Sequence, residues 1–439
     1  MNKIDKATEK KIDTFFSNAE LTGSEIVFDR FVEKFHDDMQ AGLDGRDSAM
    51  PMYASYIKGD DHLLEVGKPI AVIDAGGTNL RVALIKLKED YSLEISDFKK
   101  HAMPGIDREV SFDEFFRTIA EYALPVVKQS SRVGFCFSYP MRKESAFDGT
   151  LKAWSKEVKA PGVLNKPICE NLKKALADLG CSDLHITIFN DTVSTLLAGR
   201  TFNPVREYDG YMGLIMGTGL NTAYLEKNEN IKRLPGLPSG TQVINMESAM
   251  FNLYERGPID AAFIAATENP EMNQLEKISS GGYLGSLWIE YLKTAARNGL
   301  FSEDAAPEIL KIKPVQTSEL DSFLRDPFGE HVVGKCLSRL CEDDYYICWK
   351  IGDRLLERAA KVVALVISSV VLWTGCGENP LKPVCICVDG STFFKLKGYR
   401  EKTEHYLKSY LEDEKSRWVE LVSVDNAPLV GAVVAGLTN

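Results

Sequence analysis

The stretch Ala71-Val72-Ile73-Asp74-Ala75-Gly76-Gly77-Thr78-Asn79-Leu80-Arg81-Val82-Ala83-Leu84-Ile85 constrains this chain more than any other. An apolar run of strand type enters a tight polar turn, and a second apolar run leaves it. Gly76 and Gly77 carry no Cβ, so the backbone there can take positive φ and bring its N–H groups close to an anion. Asp74 closes the first strand beside that anion, where a carboxylate belongs only if a cation lies between the two. Mg²⁺ carried on a nucleotide polyphosphate is such a cation, and it usually keeps several waters in its shell. Thr78 and Asn79 add side-chain hydrogen bonds, and Arg81 adds a planar fork matched to phosphoryl oxygens. A lone Gly-Gly turn is more often a plain β-hairpin. The full order Asp-x-Gly-Gly-Thr-Asn-x-Arg is much rarer and points to phosphate.

At 439 residues the chain is too long for one ordinary core, so two domains are expected. Hydrophobic content of 44% and charged content of 26% are those of a globular protein. A net charge of −11 excludes a nucleic-acid scaffold, which needs a basic face to displace counterions. Six histidines without HxxxH or HExxH spacing leave little room for a metalloenzyme. The nine cysteines are scattered, with no CxxC, and Cys136, Cys385 and Cys387 lie in apolar runs as small core hydrophobes. That usage, with no apolar stretch in Met1-Asn2-Lys3-Ile4-Asp5-Lys6, predicts a cytoplasmic protein without disulfides. The run Val362 to Trp373 is too short to span a bilayer and reads as a buried helix, so no membrane partner is expected.

Along the chain, residues 5 to about 42 read as two helices. The second opens on a capping-box pattern at Thr22-Gly23-Ser24-Glu25 and sets Phe28, Phe31, Phe35 and Met39 on one core-facing stripe. Asp60-Asp61-His62 and Gly67-Lys68-Pro69 are turn material. Strands are expected over 82–87 and 93–98, and a helix over about 111–127. A strand ending at Ser138-Tyr139-Pro140 follows, then a polar loop with Trp154-Ser155-Lys156, a helix from about 165 to 179, and a strand ending at Asn190-Asp191-Thr192. From Tyr211 to Leu225 the opening pattern returns, with Gly217-Thr218-Gly219 in the turn. This weak internal repeat predicts two related α/β domains facing one another across a nucleotide. Residues 247–375 read mainly as helix. A strand at 384–388 runs into Asp389-Gly390-Ser391, and the chain closes with a strand at 421–424 and a small-residue helix at about 429–437.

An Asp at the carboxyl end of a buried strand sits where α/β sheets bind ligands. Asp191 there can accept a proton from a hydroxyl attacking a phosphoryl group. Asp-Thr before Val-Ser-Thr is equally good helix-capping sequence, so on its own the segment leaves both readings open. Gly217, Thr218 and Gly219 allow close backbone approach to a second phosphate. Lys156, Ser138, Glu247, Glu276 and Asp389-Gly390-Ser391 carry little weight singly.

Together, and in this order, these segments resemble the hexokinase family of the actin–Hsp70 ATPase superfamily, in a single unit of bacterial size. Asp74 to Arg81 resembles that family's first phosphate motif, Phe137-Ser138-Tyr139-Pro140 its Phe-Ser-Phe-Pro, and Trp154-Ser155-Lys156 its Trp-Thr-Lys. Asn190-Asp191-Thr192 is similar to the catalytic Asn-Asp-Thr, and Gly217-Thr218-Gly219-Leu220-Asn221 to Gly-Thr-Gly-x-Asn. Asn245-Met246-Glu247 and Glu276-Lys277 fall where the family keeps two sugar-binding glutamates. Tyr283-Leu284-Gly285 and Val388-Asp389-Gly390-Ser391 extend the likeness.

The resemblance implies two actin-like (ribonuclease H-like) α/β domains around a deep cleft. A small domain would span 68–190 plus 425–439, and a large one 191–424, with the helices of 1–67 packed on the large one. It implies ATP and Mg²⁺, a hexose substrate, and a monomer or homodimer. Asp191 would be the base on the sugar 6-hydroxyl, and Lys156 would contact sugar and phosphoryl group. Ser138, Ser155, Asn190, Asn221, Glu247 and Glu276 would ring the hexose. Asp74 would position Mg²⁺ through water. Gly76, Gly77, Thr78, Asn79, Arg81, Gly217, Thr218, Gly219, Gly390 and Ser391 would hold phosphates and nucleotide. Glucose or a relative such as mannose or fructose is the expected acceptor. Departures from the family pattern stand at Glu157 (Gly), Ser248 (Trp) and Ser286 (Glu), and at Asn426-Ala427-Pro428-Leu429-Val430-Gly431-Ala432 in place of Gly-Ser-Gly-Lys-Gly-Ala-Ala. They keep two rivals open, an N-acetylhexosamine kinase and a sugar sensor with weak turnover. A polymer or chaperone of the same fold has no use for the sugar set.

Overall fold

The computed structural model describes residues 6–59, 66–90, 92–154, 158–203, 205–337 and 341–438. Ser155, Lys156 and Glu157, and the turn Asp60-Asp61-His62, lie outside the described residues.

The chain opens with α1 (Lys6–Asn18) and α2 (Phe28–Asp44), followed by strand β1 (Tyr53–Lys58). Phe31, Phe35 and Met39 on α2 are fully buried and Phe28 is packed against the same core, as their spacing predicts. The capping box does not form: α2 starts at Phe28 with Val27 at the cap position. The Glu25 carboxylate instead turns back to accept the Thr22 and Gly23 N–H groups and the Thr22 hydroxyl, which closes a tight turn ahead of the helix.

A first sheet follows, built from β2 (Pro69–Gly76), β3 (Asn79–Leu87), β4 (Leu93–Ala102), β5 (Arg132–Phe137) and, beyond the hairpin β6 (Met141–Ser145) and β7 (Asp148–Leu151), β8 (His185–Phe189). Its order is β4-β3-β2-β5-β8. β2 is buried from Ile70 to Ala75, as a continuous apolar run in a sheet covered on both faces should be. It pairs antiparallel with β3 across the Gly77-Thr78 turn and parallel with β5, which pairs parallel with β8. Helices α3 (Phe112–Val127) and α4 (Ile168–Asp178) share a core on one face. Ser111 caps α3 by accepting the Glu114 N–H. α4 begins three residues later than its sequence suggests, because Asn165 adopts positive φ. The expected polar loop before Trp154 is in part the β6–β7 hairpin.

Helix α5 (Asp191–Gly199) leads to β9 (Gly210–Met216), β10 (Leu220–Lys227) and β11 (Thr241–Asn245). A helical body follows: α6 (Pro258–Ala265), α7 (Leu284–Arg297), α8 (Ala305–Lys311), α9 (Thr317–Arg325), α10 (Val332–Cys336) and the long α11 (Glu342–Thr374). β12 (Val384–Asp389), α12 (Ser391–Lys395), α13 (Tyr399–Leu407), β13 (Val419–Val422) and α14 (Ala427–Thr438) complete the chain. The second sheet has the order β1-β11-β10-β9-β12-β13. Without β1, its strands repeat the first sheet's plan: the third, second and first run antiparallel to one another, and the fourth and fifth join in parallel. The weak sequence repeat is therefore a repeat of topology. β1, hidden in a segment read as helix and turn, adds an antiparallel edge to this sheet through β11.

α5 and α14 lie between the two sheets. One buried cluster joins Ile70, Val72 and Ile85 of the first sheet, Val193, Leu196 and Leu197 of α5, Ala223 and Val243 of the second sheet, and Val433 to Ala435 of α14. The helices meet so closely at Gly431 that a Cβ there would stand 2.1 Å from the Ser194 carbonyl oxygen. Only glycine permits that crossing. α11, whose middle is buried throughout, is the axis of the helical body, and among the described residues no helix is long and apolar enough to cross a membrane. All nine cysteines are free thiols.

Candidate active site

The site is assembled from the carboxyl ends of strands in both sheets. β8 ends at Asn190, whose side chain accepts the Thr192 N–H at 2.9 Å and caps α5. Capping and chemistry do not compete here: Asn190 does the capping, and Asp191 is left as the first residue of the helix.

On the first sheet, Asp74 is buried at the end of β2, and Arg81 donates to its Oδ2 at 2.8 Å. The fork expected on phosphate is thus first of all the partner of Asp74. Burial nonetheless raises the Asp74 carboxyl above its usual range, Arg81 opposes that, and the charge of Asp191 adds to it. Across β4, Lys100 is the register partner of Arg81, so Cys136, Asp74, Arg81 and Lys100 form one row on the sheet. Sequence reading missed Lys100, because only the strand register brings it there. In the turn, Gly77 sits at φ +59 and Asn79 donates to the Thr78 hydroxyl at 3.1 Å. The Ser138 N–H donates to the Ala75 carbonyl at 3.0 Å, which sets Ser138 beside Gly76.

On the second sheet the β9–β10 turn holds Gly217, Thr218 and Gly219. The Gly281 and Gly282 N–H groups donate to the Gly217 and Thr218 carbonyls, both at 2.9 Å, and the Thr392 and Ser280 hydroxyls to the same two, both at 2.8 Å. The carbonyls are thus occupied from behind. Gly390, at φ +136, crosses so close that a Cβ would stand 2.2 Å from the Met216 carbonyl oxygen. Glu276 Oε2 accepts the Leu220 N–H at 2.9 Å, where Gly219 leaves it room. Asn221 donates to Asn245 at 2.8 Å, and Asn245 donates to Glu247 at 2.9 Å. Asn245, two residues ahead of Glu247 at the end of β11, is thus a link that sequence reading passed over. Glu247 itself has φ +57, a strained value for a non-glycine residue.

Asp191 is the charge these parts share. Glu247 is pushed up to about 7 by burial and by the charges of Asp191 and Glu276, against the Asn245 hydrogen bond. Burial and the charge of Asp191 raise Asp389 as well. Such crowding of carboxylates favours a ligand that brings cations. Among the described residues no three His, Cys, Asp or Glu side chains form a group able to hold a metal by themselves. The carboxyls of Asp74 and Asp389, raised by burial and by the charge of Asp191, are a donor set that fits a divalent ion keeping its own waters. The structure brings together Asp74 and Arg81; Asp191, Glu247 and Glu276; and Gly217 and Gly390.

A family model described as Hexokinase matches residues 11–201, and a second of the same description matches 211–438. The chain belongs to the hexokinase family. It is a phosphotransferase with an alcohol acceptor, a hexose, and the family's phosphoryl transfer draws on a nucleotide. Hexokinase-2 of Candida albicans is 27% identical over 436 residues, spanning 93% of this chain and 88% of the relative. Hexokinase-2 of Arabidopsis thaliana is 29% identical over 428 residues, spanning 90% and 84%. In fold, the chain is similar to a hexokinase from Schistosoma mansoni complexed with glucose, at a TM-score of 0.77 and 22% identity over 98% of this chain and 100% of that one. A ROK hexokinase from Thermus thermophilus reaches 0.51 at 16% identity, over 84% and 97%. The hexokinase matches part between 201 and 211, where the chain leaves α5 and enters the second sheet.

Proposed function

We propose that the enzyme transfers the γ-phosphoryl group of MgATP to the 6-hydroxyl of glucose or a close relative such as mannose or fructose, with Asp191 as general base. The carrying observation is that the charge of Asp191 reaches Glu247 on the sugar side and Asp74 and Asp389 on the phosphate side. A base in that place takes the hydroxyl proton as the new O–P bond forms and the bond to the leaving β-phosphate breaks. Ser138, Asn190, Asn221, Glu247 and Glu276 ring the hexose, the last three held by the hydrogen bonds among Asn221, Asn245, Glu247 and Glu276–Leu220. Ser155 and Lys156 act from the loop after Trp154, Lys156 on both sugar and phosphoryl group.

Gly76, Gly77, Thr78 and Asn79 in one turn, and Gly217, Thr218 and Gly219 in the other, offer donors to phosphates, with Gly390 and Ser391 toward the nucleoside. Asp74 would hold the Mg²⁺ through water, and the ion when bound would supply positive charge to the phosphates. Arg81 serves by fixing Asp74 and by facing the same anion. Residues 68–190 and 425–439 act as the small domain and 191–424 as the large one, with 1–67 extending the latter. Closure of one on the other excludes water as a rival nucleophile. The enzyme works in the cytoplasm as a monomer or homodimer.

The test is a coupled assay of sugar-dependent ADP release with MgATP across glucose, mannose, fructose and N-acetylglucosamine. One of the first three should lead clearly, with little ADP formed in its absence. A lead for N-acetylglucosamine, or glucose binding without turnover, would overturn the reading.

A further inference from the structure

The segment Phe137-Ser138-Tyr139-Pro140 carries a tyrosine where the resembling family pattern has phenylalanine. Tyr139 is 1% exposed. Its ring is fixed by Phe137 at 4.9 Å and stands edge-on to Trp154 at 4.9 Å and 85°. A ring held on two sides in a core leaves its hydroxyl little choice of direction. That hydroxyl donates to the Gly77 carbonyl at 2.8 Å.

We infer that the Tyr139 hydroxyl is a positioning group for the first phosphate turn and couples it to the sugar segment. The Gly77 carbonyl and the Thr78 N–H belong to one planar trans peptide, so they point in opposite directions. Holding the carbonyl on Tyr139 therefore aims the Thr78 N–H away from the ring. Gly77 at φ +59 is the residue with most freedom to swing that peptide, and the hydroxyl removes the freedom. The next peptide is fixed too, because the Met103 N–H donates to the Thr78 carbonyl at 2.9 Å. Ser138, one residue before Tyr139, is tied to Ala75 at 3.0 Å, so sugar segment and turn move as one piece. Burial and the charge of Asp74 push the phenol above its ordinary range, so it stays a donor at any working pH.

The inference rests on the reading of Gly76 to Thr78 as a phosphate cradle, and the experiment separates the two. Tyr139→Phe removes one oxygen and keeps the ring. At saturating glucose its MgATP KM should rise about 3- to 10-fold, the range for one lost buried hydrogen bond. The glucose KM should stay within about 2-fold, and ADP titrated by calorimetry without sugar should weaken by the same factor as MgATP. Unchanged nucleotide constants would overturn the inference. So would a fall in melting temperature and kcat with no change in either KM, since that marks a structural role alone. Thr78→Val is run beside it. Nucleotide KM raised in Thr78→Val but not in Tyr139→Phe leaves the cradle standing and removes Tyr139. Nucleotide KM unmoved in both removes the Thr78 hydroxyl from the cradle and overturns the inference.

Discussion

The β2–β3 and β9–β10 turns occupy equivalent places in two sheets of one strand plan, yet they are built for different work. The first is ionic. Asp74 and Arg81 face each other across its base, and Lys100 extends the row. The second carries no charge in Gly217-Thr218-Gly219, and its carbonyls are taken by Gly281, Gly282, Ser280 and Thr392. A carboxylate enters only from outside, as Glu276 on the Leu220 N–H. Duplicated topology gives two equivalent loops, and the charge of Asp191 acts on Asp74 beside the first and Asp389 beside the second. The side chains then differ: the first turn carries an ion pair at its base, and the second is neutral backbone whose carbonyls are held from behind.

Replacing Asp191, whose charge acts on residues beside both turns, breaks the comparison most severely. Asp191→Ala should lower kcat by a factor of roughly 10² or more while glucose still binds in calorimetry, as for loss of a general base. Near-normal turnover would remove Asp191 from the mechanism and leave the turns without a common centre.

The close-packed turn should tolerate far less than the ionic one. Gly390→Ala puts a Cβ against backbone at 2.2 Å, at a φ that L residues avoid. We expect about a 10-fold rise in MgATP KM and a clear loss of melting temperature. Gly76→Ala meets only the Asp74 and Ser138 side chains at 3.5 Å, an ordinary contact, so its melting temperature should hardly move. Equal losses from the two variants would erase the distinction between the turns.

Arg81→Met tests the ionic half. It strands Asp74, whose side chain is 3% exposed, without its cation. Because Arg81 is 39% exposed, solvent screens the pair, and the loss should be about 1–2 kcal/mol instead of the about 3–5 of a fully buried pair. Urea melts and a several-fold rise in MgATP KM would report it. An unchanged melt would show that the pair contributes nothing.

The smallest effect concerns pH. Folding raises Glu247 from 4.5 to about 7, so ionising it opposes the fold. Its contribution is intact below 4.5 and is lost as pH climbs through about 7. Ligand-free enzyme should therefore melt a few degrees lower at pH 8 than this group alone would allow at pH 5. Glu247→Gln should remove that part of the slope while raising the glucose KM. A slope identical in both proteins would show that Glu247 is not the group responsible.

The β2–β3 turn, the Asn190-Asp191 strand end and the β9–β10 turn were legible as structure because each is a local pattern: an apolar run, a turn residue and a polar side chain in fixed order. The capping box at Thr22 failed, although its residues are correct, because Glu25 found the Thr22 and Gly23 N–H groups and closed a turn instead of starting a helix. β1 was missed because Tyr53 to Lys58 has no strict alternation, and only pairing with β11 makes it a strand. Asn245 stood out only as a neighbour of Glu247 and Lys100 gave no signal at all, because their partners Asn221 and Arg81 come from a neighbouring strand.

What the sequence by itself determined is the set of local devices: glycine where backbone must bend or approach, carboxylates at strand ends, and a repeated strand–turn–strand. Those are dictated by sterics and hydrogen bonding within a few residues. Tertiary structure alone decided that Arg81 holds Asp74, that the charge of Asp191 acts on Glu247 and Asp389, and that Tyr139 reaches Gly77. Each of these is an interaction between residues from several to about two hundred positions apart. Burial, which no local pattern encodes, sets its strength.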